Sequence, residues 1–381
     1  MRGESDLLVI GAGPAGSAAG IEAARAGLDV CVIDRAHFPR PKTCGDAVSN
    51  SAAEIIQELG AGEAFERAPR AVVHGAAAIF PDGSRVRRSY GGRPGYIMER
   101  AVLDNLLRER LEESGARLLQ GVGTRRLERV HDAVVGARGE GFSWRARAVI
   151  AADGPGSVAW TALAAPPPRR RALALAITAY VTGLPPASDA GYSEHYFERD
   201  LPCGYGWVFP PVAGVANVGV YQRADRYHDA GVPLAKLLET FMARHPDRFD
   251  GASIQGRTRS WQLPLASKRL PPAMAGLLTA GDAARFIDPL TGEGIWHALA
   301  SGRLAARSAV AALEGRGLDR AAARRFQLHG AREIGWPSAV RAGIQRSVQA
   351  IVDHDLYRSR AVRDLLAWGY GRDALEVSKS L

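Results

Sequence analysis

A glycine-rich turn between two apolar runs constrains the fold of this chain more than any other feature. The apolar run at residues 7–10 leads into Gly-Ala-Gly-Pro-Ala-Gly at 11–16, and an alanine-rich stretch then ends at Gly27. A second apolar run, 30–33, ends in the acidic residue Asp34. Strand, tight turn, helix and strand in this order predict a βαβ unit, whereas an isolated GxGxxG is a weak signal that also fits a plain turn.

Each residue type in this turn has a physical task in nucleotide binding. Gly11 and Gly13 permit the turn and let backbone N–H groups approach a pyrophosphate, and Gly16 lets the helix pack closely on the strand. The helix start around Ala15 attracts phosphate charge. Asp34 would accept hydrogen bonds from ribose hydroxyls and disfavours a 2′-phosphate. The segment therefore predicts a Rossmann-type dinucleotide site.

Composition excludes several classes of protein. No apolar run reaches the roughly 18–20 residues that a membrane-spanning helix needs, and no signal peptide is recognisable, so we expect a cytoplasmic protein. Cys31, Cys44 and Cys203 lack metal-ligand spacing, so neither a disulfide framework nor a metal site is predicted. The net charge of +9 comes without a nucleic-acid motif, and we predict no nucleic-acid partner. Basic character still suits peripheral contact with an anionic membrane or an acidic partner.

The order of patterns along the 381 residues predicts an α/β (α+β) protein whose cofactor domain is built from discontinuous segments. We expect a Rossmann-like domain at 1–71, 96–165 and 272–318, an inserted, mostly antiparallel β-sheet domain at 72–95 and 166–271, and a helical region at 319–381. Strand patterns in the inserted domain fall at 72–90, Leu173–Thr182, 192–198, 206–209 and 216–221. Helical spacing covers 101–114 and continues from 294 onward.

Four more motifs, spread over most of the chain, make a family resemblance specific. They are Pro-Arg-Pro-Lys-Thr-Cys-Gly-Asp at 39–46, Ala-Asp-Gly at 152–154, Tyr-Gly-Trp-Val-Phe-Pro at 205–210, and Ala-Gly-Asp at 280–282 continuing to Asp-Pro-Leu-Thr-Gly-Glu-Gly-Ile at 288–295. With these motifs the chain resembles the FAD-dependent oxidoreductases of the p-hydroxybenzoate-hydroxylase-type fold, and within them the geranylgeranyl reductase family.

The resemblance implies FAD as cofactor. Asp282 would hydrogen-bond a ribityl or ribose hydroxyl, and Gly292 and Gly294 would open a helix whose N–H groups stabilise the reduced, anionic ring. The predicted FAD-binding residues are Gly11, Gly13, Ala15, Gly16, Asp34, Arg35, Cys44, Gly45, Arg100, Asp153, Gly281, Asp282, Pro289, Gly292, Gly294 and Ile295. After Asp-Gly-x-x-Ser the family pattern continues Val-Arg, whereas this chain reads Ser157-Val158-Ala159-Trp160, which predicts that one cation near the flavin is missing.

Aromatic and thiol side chains are the candidates for substrate chemistry. Tyr205, Trp207 and Phe209 alternate with period two and share one face of a strand, which fits either a packed core or the wall of an apolar substrate pocket. The resemblance favours the pocket and places Cys44 near the reactive end of the flavin, as a proton donor or redox sensor. We therefore predict Cys44, Tyr205 and Trp207 as catalytic residues; the structural alternative for a lone cysteine stays open.

The resemblance implies reduction of carbon–carbon double bonds in a prenyl, polyketide-like or other apolar substrate, by hydride transfer from N5 of reduced FAD. The alternative is an FAD-dependent monooxygenase (hydroxylase or epoxidase) or a halogenase-like tailoring enzyme of secondary metabolism. Halogenation is disfavoured because Tyr205 and Phe209 replace the Trp and Ile of the halogenase segment. A third reading is a non-catalytic flavin-bound protein that docks through basic C-terminal helices. No second dinucleotide fingerprint is present, so electrons would come from NAD(P)H, a ferredoxin-like protein or free reduced flavin.

Overall fold

A computed structural model describes residues 1–267 and 269–369 and shows a mixed α/β protein with three β-sheets. The strands are β1 Arg2–Ile10, β2 Val30–Asp34, β3 Ala47–Val48, β4 Ala71–Val73, β5 Gly75–Ile79, β6 Arg85–Ser89, β7 Gly95–Ile97, β8 Arg117–Gln120, β9 Thr124–Val130, β10 Ala133–Gly139, β11 Phe142–Ala151, β12 Leu173–Thr182, β13 Tyr192–Tyr196, β14 Gly204–Val208, β15 Ala216–Arg223, β16 Ser253–Pro264 and β17 Leu277–Thr279.

Helices cover the sheets and dominate the C-terminal part of the described chain. They are α1 Pro14–Arg25, α2 Asn50–Glu58, α3 Gly62–Arg67, α4 Arg100–Glu113, α5 Val158–Ala162, α6 Ala224–Ala230, α7 Leu234–Arg244, α8 Pro246–Phe249, α9 Ile295–Leu313, α10 Arg320–Gly330, α11 Trp336–Asp353 and α12 Arg360–Gly369. A π-helical segment, Ala331–Gly335, joins α10 to α11. The predicted helical region 319–381 lies partly outside the described residues.

The first sheet brings the predicted cofactor motifs to one edge. Its order is β8-β2-β1-β11-β10-β9, and β17 also pairs with β11. The strands β8, β2, β1, β11 and β17 run parallel, so their carboxyl ends share an edge where α/β proteins bind ligands. Helices α1 and α9 pack over this sheet in one hydrophobic core.

The second sheet has the order β16-β12-β15-β14-β13-β5-β6 and is antiparallel except for the β13–β5 pair. One face packs on α7, where Leu237 and Phe241 belong to the same buried cluster as Val218 and Val220 of β15. Because side chains alternate along a strand, the other face carries residues such as Tyr221 and Trp207. Strands β3, β7 and β4 form a small third sheet.

The domain limits remain a prediction. The sheets show which parts of the chain come together in space. Residues 75–89 and 173–264 supply the second sheet, while strands within 1–34, 117–151 and 277–279 supply the first. Segments far apart in sequence therefore build each sheet, and the two sheets enclose one cavity.

Candidate active site

A cavity of about 860 Å³ lies between the carboxyl edge of the first sheet and the aromatic face of the second. The glycine turn, the 39–46 loop and the 281–295 segment line one side, and β12–β16 line the other. A volume of this size is typical of cofactor and substrate sites.

The glycine turn reaches the cavity with the geometry of a nucleotide-binding loop. Gly11 has φ +98° and donates its N–H to Ile33 O at 2.7 Å. A Cβ on Gly16 would overlap the carbonyl oxygen of Gly11, so only glycine fits where α1 crosses the strand end. A Cβ on Gly13 would meet only Arg40 Nη2, at 3.6 Å. Close packing therefore demands Gly16, while Gly13 leaves room for a ligand.

The acidic residue at the end of β2 is tied to this turn. Asp34 is buried, and its carboxylate accepts the N–H groups of Ala12 and Ala36 at 2.8 Å each. Asp34 and the adjacent Arg35 both line the cavity. Asp153, at the end of β11, accepts the N–H of Val158 through Oδ2 at 2.9 Å. Its buried Oδ1 has no hydrogen-bond partner, and burial raises the pKa of this carboxyl group.

Trp160, which follows the departing residue Ala159, lies beside an arginine from a distant segment. Its Nε1–H donates to Ala283 O at 2.8 Å, and the Arg285 guanidinium lies 4.8 Å from a ring centroid of the indole. Arg285 itself donates to Pro166 O at 2.7 Å. Neither Trp160 nor Arg285 lines the cavity, so this arginine does not replace the family's cation near the flavin.

The 281–295 segment closes the cofactor end. Gly281, with φ +61°, and Asp282 face the cavity, and burial raises the pKa of Asp282 against the opposing charges of Lys42 and Arg100. Gly292 has φ +70°, and a Cβ there would lie 3.2 Å from the Tyr221 ring. A Cβ on Gly294 would approach no atom closer than 3.5 Å.

Helix α9 begins at Ile295 with Gly294 as an N-cap that provides no side-chain hydrogen bond, and α1 likewise begins after Gly13 without one. Both helix starts line the cavity. Unsatisfied N–H groups and the helix dipole make such starts suitable for anions.

Helix α11 anchors this segment, a role that the sequence did not reveal. Asp288 is buried, accepts the N–H groups of Leu290 and Thr291 at 2.8 Å, and forms an ion pair with Arg341. Burial would raise the pKa of Asp288, but the Arg341 charge and these donors outweigh it and lower the pKa. Gln345 Nε2 donates to the carbonyl of the predicted cofactor residue Pro289 at 2.6 Å. Nothing local to the 288–295 motif signals these partners.

The 39–46 loop brings a thiol and cations to the cavity. Arg100 is buried and donates to both carboxylate oxygens of Asp104 at 2.8 Å, and its guanidinium also interacts with Cys44. Lys42 Nζ lies 3.8 Å from the centroid of the Trp261 ring. Burial, together with the nearby Arg100 charge, lowers the pKa of Lys42 to about 8. Of the predicted site residues, Arg100 therefore forms a bidentate hydrogen-bonded pair with the Asp104 carboxylate.

The aromatic strand forms the opposite wall. Tyr205, Trp207 and Phe209 are all buried and line the cavity, with successive ring centroids 6.2 and 6.0 Å apart. Trp207 and Phe209 reach Gly45, where a Cβ would lie 3.7 and 3.1 Å from their rings. Tyr205 donates its hydroxyl to Thr291 O, and burial raises the pKa of that hydroxyl. The structure thus brings the predicted substrate residues against the predicted cofactor segments.

Two buried polar residues of this wall were not predicted. His195, opposite Trp207 in the β13–β14 register, contacts Tyr205 and Phe209 edge-on, and burial lowers its pKa to about 4. Asn217 accepts Trp207 Nε1–H at 3.0 Å and donates to Cys44 O at 2.9 Å. A lone amide in the apolar run 216–220 was the available sequence signal for Asn217.

The residues present fit FAD. The cofactor end of the cavity is surrounded by two helix starts without side-chain caps, a glycine turn, the Asp34 carboxylate and the cations Arg40 and Lys42. The buried, unpartnered Oδ1 of Asp153 is a further acceptor there. This set matches a ligand with ribose hydroxyls and a diphosphate.

Sequence comparison also indicates an FAD-binding protein. The family model described as FAD binding domain matches residues 4–323. Menaquinone reductase of Mycobacterium tuberculosis is 32% identical over 315 residues, covering 79% of this chain and 76% of that protein. Digeranylgeranylglycerophospholipid reductase of Thermoplasma acidophilum is 31% identical over 320 residues, covering 81% and 78%. The chain belongs to the geranylgeranyl reductase family of FAD-dependent oxidoreductases.

Structure comparison agrees with this membership. A geranylgeranyl bacteriochlorophyll reductase-like protein from Thermoplasma acidophilum superposes with a TM-score of 0.84 at 26% identity, covering 96% of this chain and 92% of that chain. Flavin-dependent halogenases share the fold at 20–22% identity, a likeness that concerns the fold alone. As a member of this reductase family the protein uses FAD, which confirms the predicted cofactor and enzyme class. In the described residues no helix is both long and apolar enough to cross a membrane.

Proposed function

We propose that this geranylgeranyl reductase family member saturates carbon–carbon double bonds in a prenyl chain or a comparable apolar substrate. The observation that carries the proposal is the aromatic wall of Tyr205, Trp207 and Phe209, which faces the 281–295 segment across one cavity. Two of its relatives are a menaquinone reductase and a digeranylgeranylglycerophospholipid reductase, names that refer to a quinone and to a phospholipid with geranylgeranyl chains.

Bound FAD would supply the hydride for such a reduction, held by the glycine turn, Asp34, Asp153 and the 281–295 segment. The protein's own task is to hold the alkene in a dry, apolar space and to deliver a proton to the second carbon. Trp207 and Phe209 shape that space. An isolated alkene is a poor acceptor, so exclusion of water and close placement account for much of the rate.

Cys44 is a better proton donor than Tyr205. The Tyr205 hydroxyl already donates to Thr291 O, and burial raises its pKa, so it holds its proton tightly. Cys44 lines the cavity, and the cations Arg100 and Lys42 lie beside it. We assign proton delivery to Cys44 and positioning of the substrate to Tyr205 and Trp207.

Product analysis tests the proposal. The purified holoenzyme is reduced with dithionite under anaerobic conditions and incubated with a digeranylgeranylated phospholipid or a menaquinone, and the lipid is examined by mass spectrometry. We expect two hydrogens added per reduced bond, and much less product from Cys44→Ala. Unchanged lipid with both substrates, together with an oxygenated product after admission of O₂, would contradict reduction and indicate the monooxygenase alternative.

We also propose that an external donor reduces the enzyme. NAD(P)H, a ferredoxin-like protein and free reduced flavin are the candidate donors. Stopped-flow mixing of each donor with the oxidised holoenzyme identifies the donor by the bleaching of the flavin absorbance, and bleaching by none of them would contradict the proposal.

We further propose peripheral contact with an anionic membrane, which would give access to a lipid substrate in the cytoplasm. An exposed apolar stripe runs along α10 and α11 and consists of Leu328, Trp336, Val340 and Ile344, which are eight, four and four residues apart. Trp336 is 61% exposed, and the exposed basic residues Arg332 and Arg346 lie on the same helical stretch. Apolar and basic residues on one surface helix are typical of interfacial membrane binding.

Vesicle flotation tests this contact. Wild-type protein should float with vesicles that contain phosphatidylglycerol and much less with pure phosphatidylcholine, and Trp336→Ser should reduce flotation several-fold. Leu356→Ser, at an exposed apolar residue outside the stripe, is the matched control and should float as wild type does. Equal flotation of Trp336→Ser and wild type would contradict the assignment of the stripe.

A further inference from the structure

A buried amide on β15 joins the two walls of the cavity. Asn217 is 2% exposed. Its Oδ1 accepts the Thr178 hydroxyl at 2.7 Å and Trp207 Nε1–H at 3.0 Å. Its Nδ2 donates to Cys44 O at 2.9 Å and to Asp46 Oδ2 at 2.8 Å. The side chain thus uses its full hydrogen-bonding capacity at a junction of three segments.

The Asp46 end of this network is also fixed. Asp46 has φ +64°, and its Oδ2 accepts both the Asn217 amide and the Tyr180 hydroxyl, each at 2.8 Å. The main-chain carbonyl of Asp46 accepts the N–H of Met98 at 2.9 Å. The loop that carries Cys44 and Gly45 is therefore held to the second sheet through side chains of β12 and β15.

An apolar side chain of similar size would suit this strand better if packing were the only requirement. The neighbours Ala216, Val218 and Val220 are apolar and fully buried. Burying an amide costs free energy unless all its donors and acceptors are paired. The same strand contains a contrasting case, Gln222, which is also fully buried but whose amide atoms have no hydrogen-bond partner.

We propose that Asn217 is a positioning residue that fixes the Trp207 indole of the substrate wall relative to the Cys44–Asp46 loop. The inference rests on the proposed function, because its consequence is the placement of an alkene between Trp207 and Cys44. Asn217 acts through these two neighbours and is not itself assigned to contact the substrate.

The test compares Asn217→Leu with Gln222→Leu, the matched removal of a buried amide on the same strand. We expect Asn217→Leu to lower the single-turnover rate of flavin reoxidation by a prenyl substrate at least tenfold. Reoxidation by O₂ and the FAD-to-protein ratio should stay near wild type. Gln222→Leu should stay within about twofold of wild type in all three measurements, because it removes no hydrogen bond.

Asn217→Asp provides a second variant that keeps the size and the acceptor for Trp207. It places a carboxyl group 2.8 Å from Asp46, so the two groups keep a hydrogen bond only while they share a proton. The substrate-dependent rate should therefore recover toward wild type as pH falls, with Tyr180 and Arg100 as the other titratable or charged groups near Asp46. A merely structural role would instead make O₂ reoxidation and FAD content vary with pH in parallel with the substrate-dependent rate.

A readout independent of turnover separates this inference from the proposed function. With ¹⁵N-labelled tryptophan, the Trp207 indole N–H signal, assigned through Trp207→Phe, should shift in Asn217→Leu and stay unchanged in Gln222→Leu. An unmoved indole signal in Asn217→Leu, or substrate and O₂ reoxidation that fall together with FAD content, would overturn the inference. Wild-type protein that no prenyl substrate reoxidises would overturn the proposed function while the indole shift still tests Asn217.

Discussion

The two walls of the cavity are built in different ways. The cofactor wall depends on backbone: Gly16 fits under the carbonyl of Gly11, and the helices that begin at Pro14 and Ile295 have no side-chain cap. The substrate wall depends on side chains, where Trp207 is held by Asn217 and Tyr205 by Thr291 O. A side-chain substitution can therefore change the substrate wall while the backbone of the cofactor wall stays in place.

The largest expected effect falls on the backbone wall. Gly16→Ala should abolish FAD binding and soluble yield, because its Cβ would overlap the Gly11 carbonyl oxygen. Gly13→Ala has only Arg40 Nη2 within 4 Å, so the fold should survive while FAD affinity falls. The flavin-to-protein ratio and the melting temperature of both variants test this expected difference. Equal behaviour of the two variants would contradict the distinction between packing glycine and ligand-facing glycine.

On the substrate wall, Trp207→Ala should separate cofactor binding from turnover. Loss of the buried indole should cost about 3–5 kcal/mol in the free energy of unfolding. FAD content of the folded protein should be nearly preserved, while reoxidation by substrate is lost or a different double bond is reduced. Trp207→Phe keeps a ring but not the bond to Asn217 and should be intermediate. Substrate reoxidation at the wild-type rate in Trp207→Ala would refute the pocket role.

The next largest effect is expected at the Arg341–Asp288 ion pair, which connects α11 to the cofactor wall. Arg341→Met leaves the Asp288 carboxylate buried without its cation and should cost about 3 kcal/mol in the free energy of unfolding. FAD should also dissociate faster because the 288–295 segment loses its anchor. Arg346→Met, at an exposed position on the same helix, should change neither quantity. Denaturant unfolding measures the free energy of unfolding, and flavin release kinetics measure FAD dissociation. Equal stability of both variants would contradict the anchoring role.

The smallest effect concerns pH. Burial raises the pKa of Asp46 from 3.8 to about 6, with the Tyr180 and Asn217 hydrogen bonds opposing it. The stability gained from this tighter proton binding is fully present below pH 3.8 and is lost as pH rises through about 6. Asp46→Asn cannot ionise, so its unfolding free energy relative to wild type should rise by roughly 2 kcal/mol between pH 4 and 7. A difference that does not vary with pH would contradict the shifted pKa.

Sequence patterns predicted the cofactor wall better than the substrate wall for a physical reason. Glycine turns and parallel strand ends leave local signatures in the cofactor wall. In the substrate wall, β12 was predicted with the bounds Leu173–Thr182 that the structure has, because its run is continuous, mostly apolar and nowhere exposed. Strand β16 was missed because its residues are mostly exposed and polar, with little alternation. Asn217 and Arg341 were missed because their partners lie far away in the chain.

Arg100 shows a signal that was present but unused. Its spacing of four residues from Asp104 on α4 is that of a helical ion pair, and the structure shows that pair in buried form. The predicted role of Arg100 beside the flavin remains a prediction, as do the other assigned site residues.

Anaerobic single-turnover reoxidation tests the central claim most directly, that the cavity holds a prenyl alkene against reduced FAD. The photoreduced holoenzyme is mixed with a geranylgeranylated substrate in a stopped-flow instrument, and recovery of the oxidised flavin absorbance is followed without O₂. We predict full recovery in wild type and at least a tenfold slower recovery in Asn217→Leu. Absence of recovery with every prenylated substrate, followed by prompt recovery when O₂ is admitted, would contradict it.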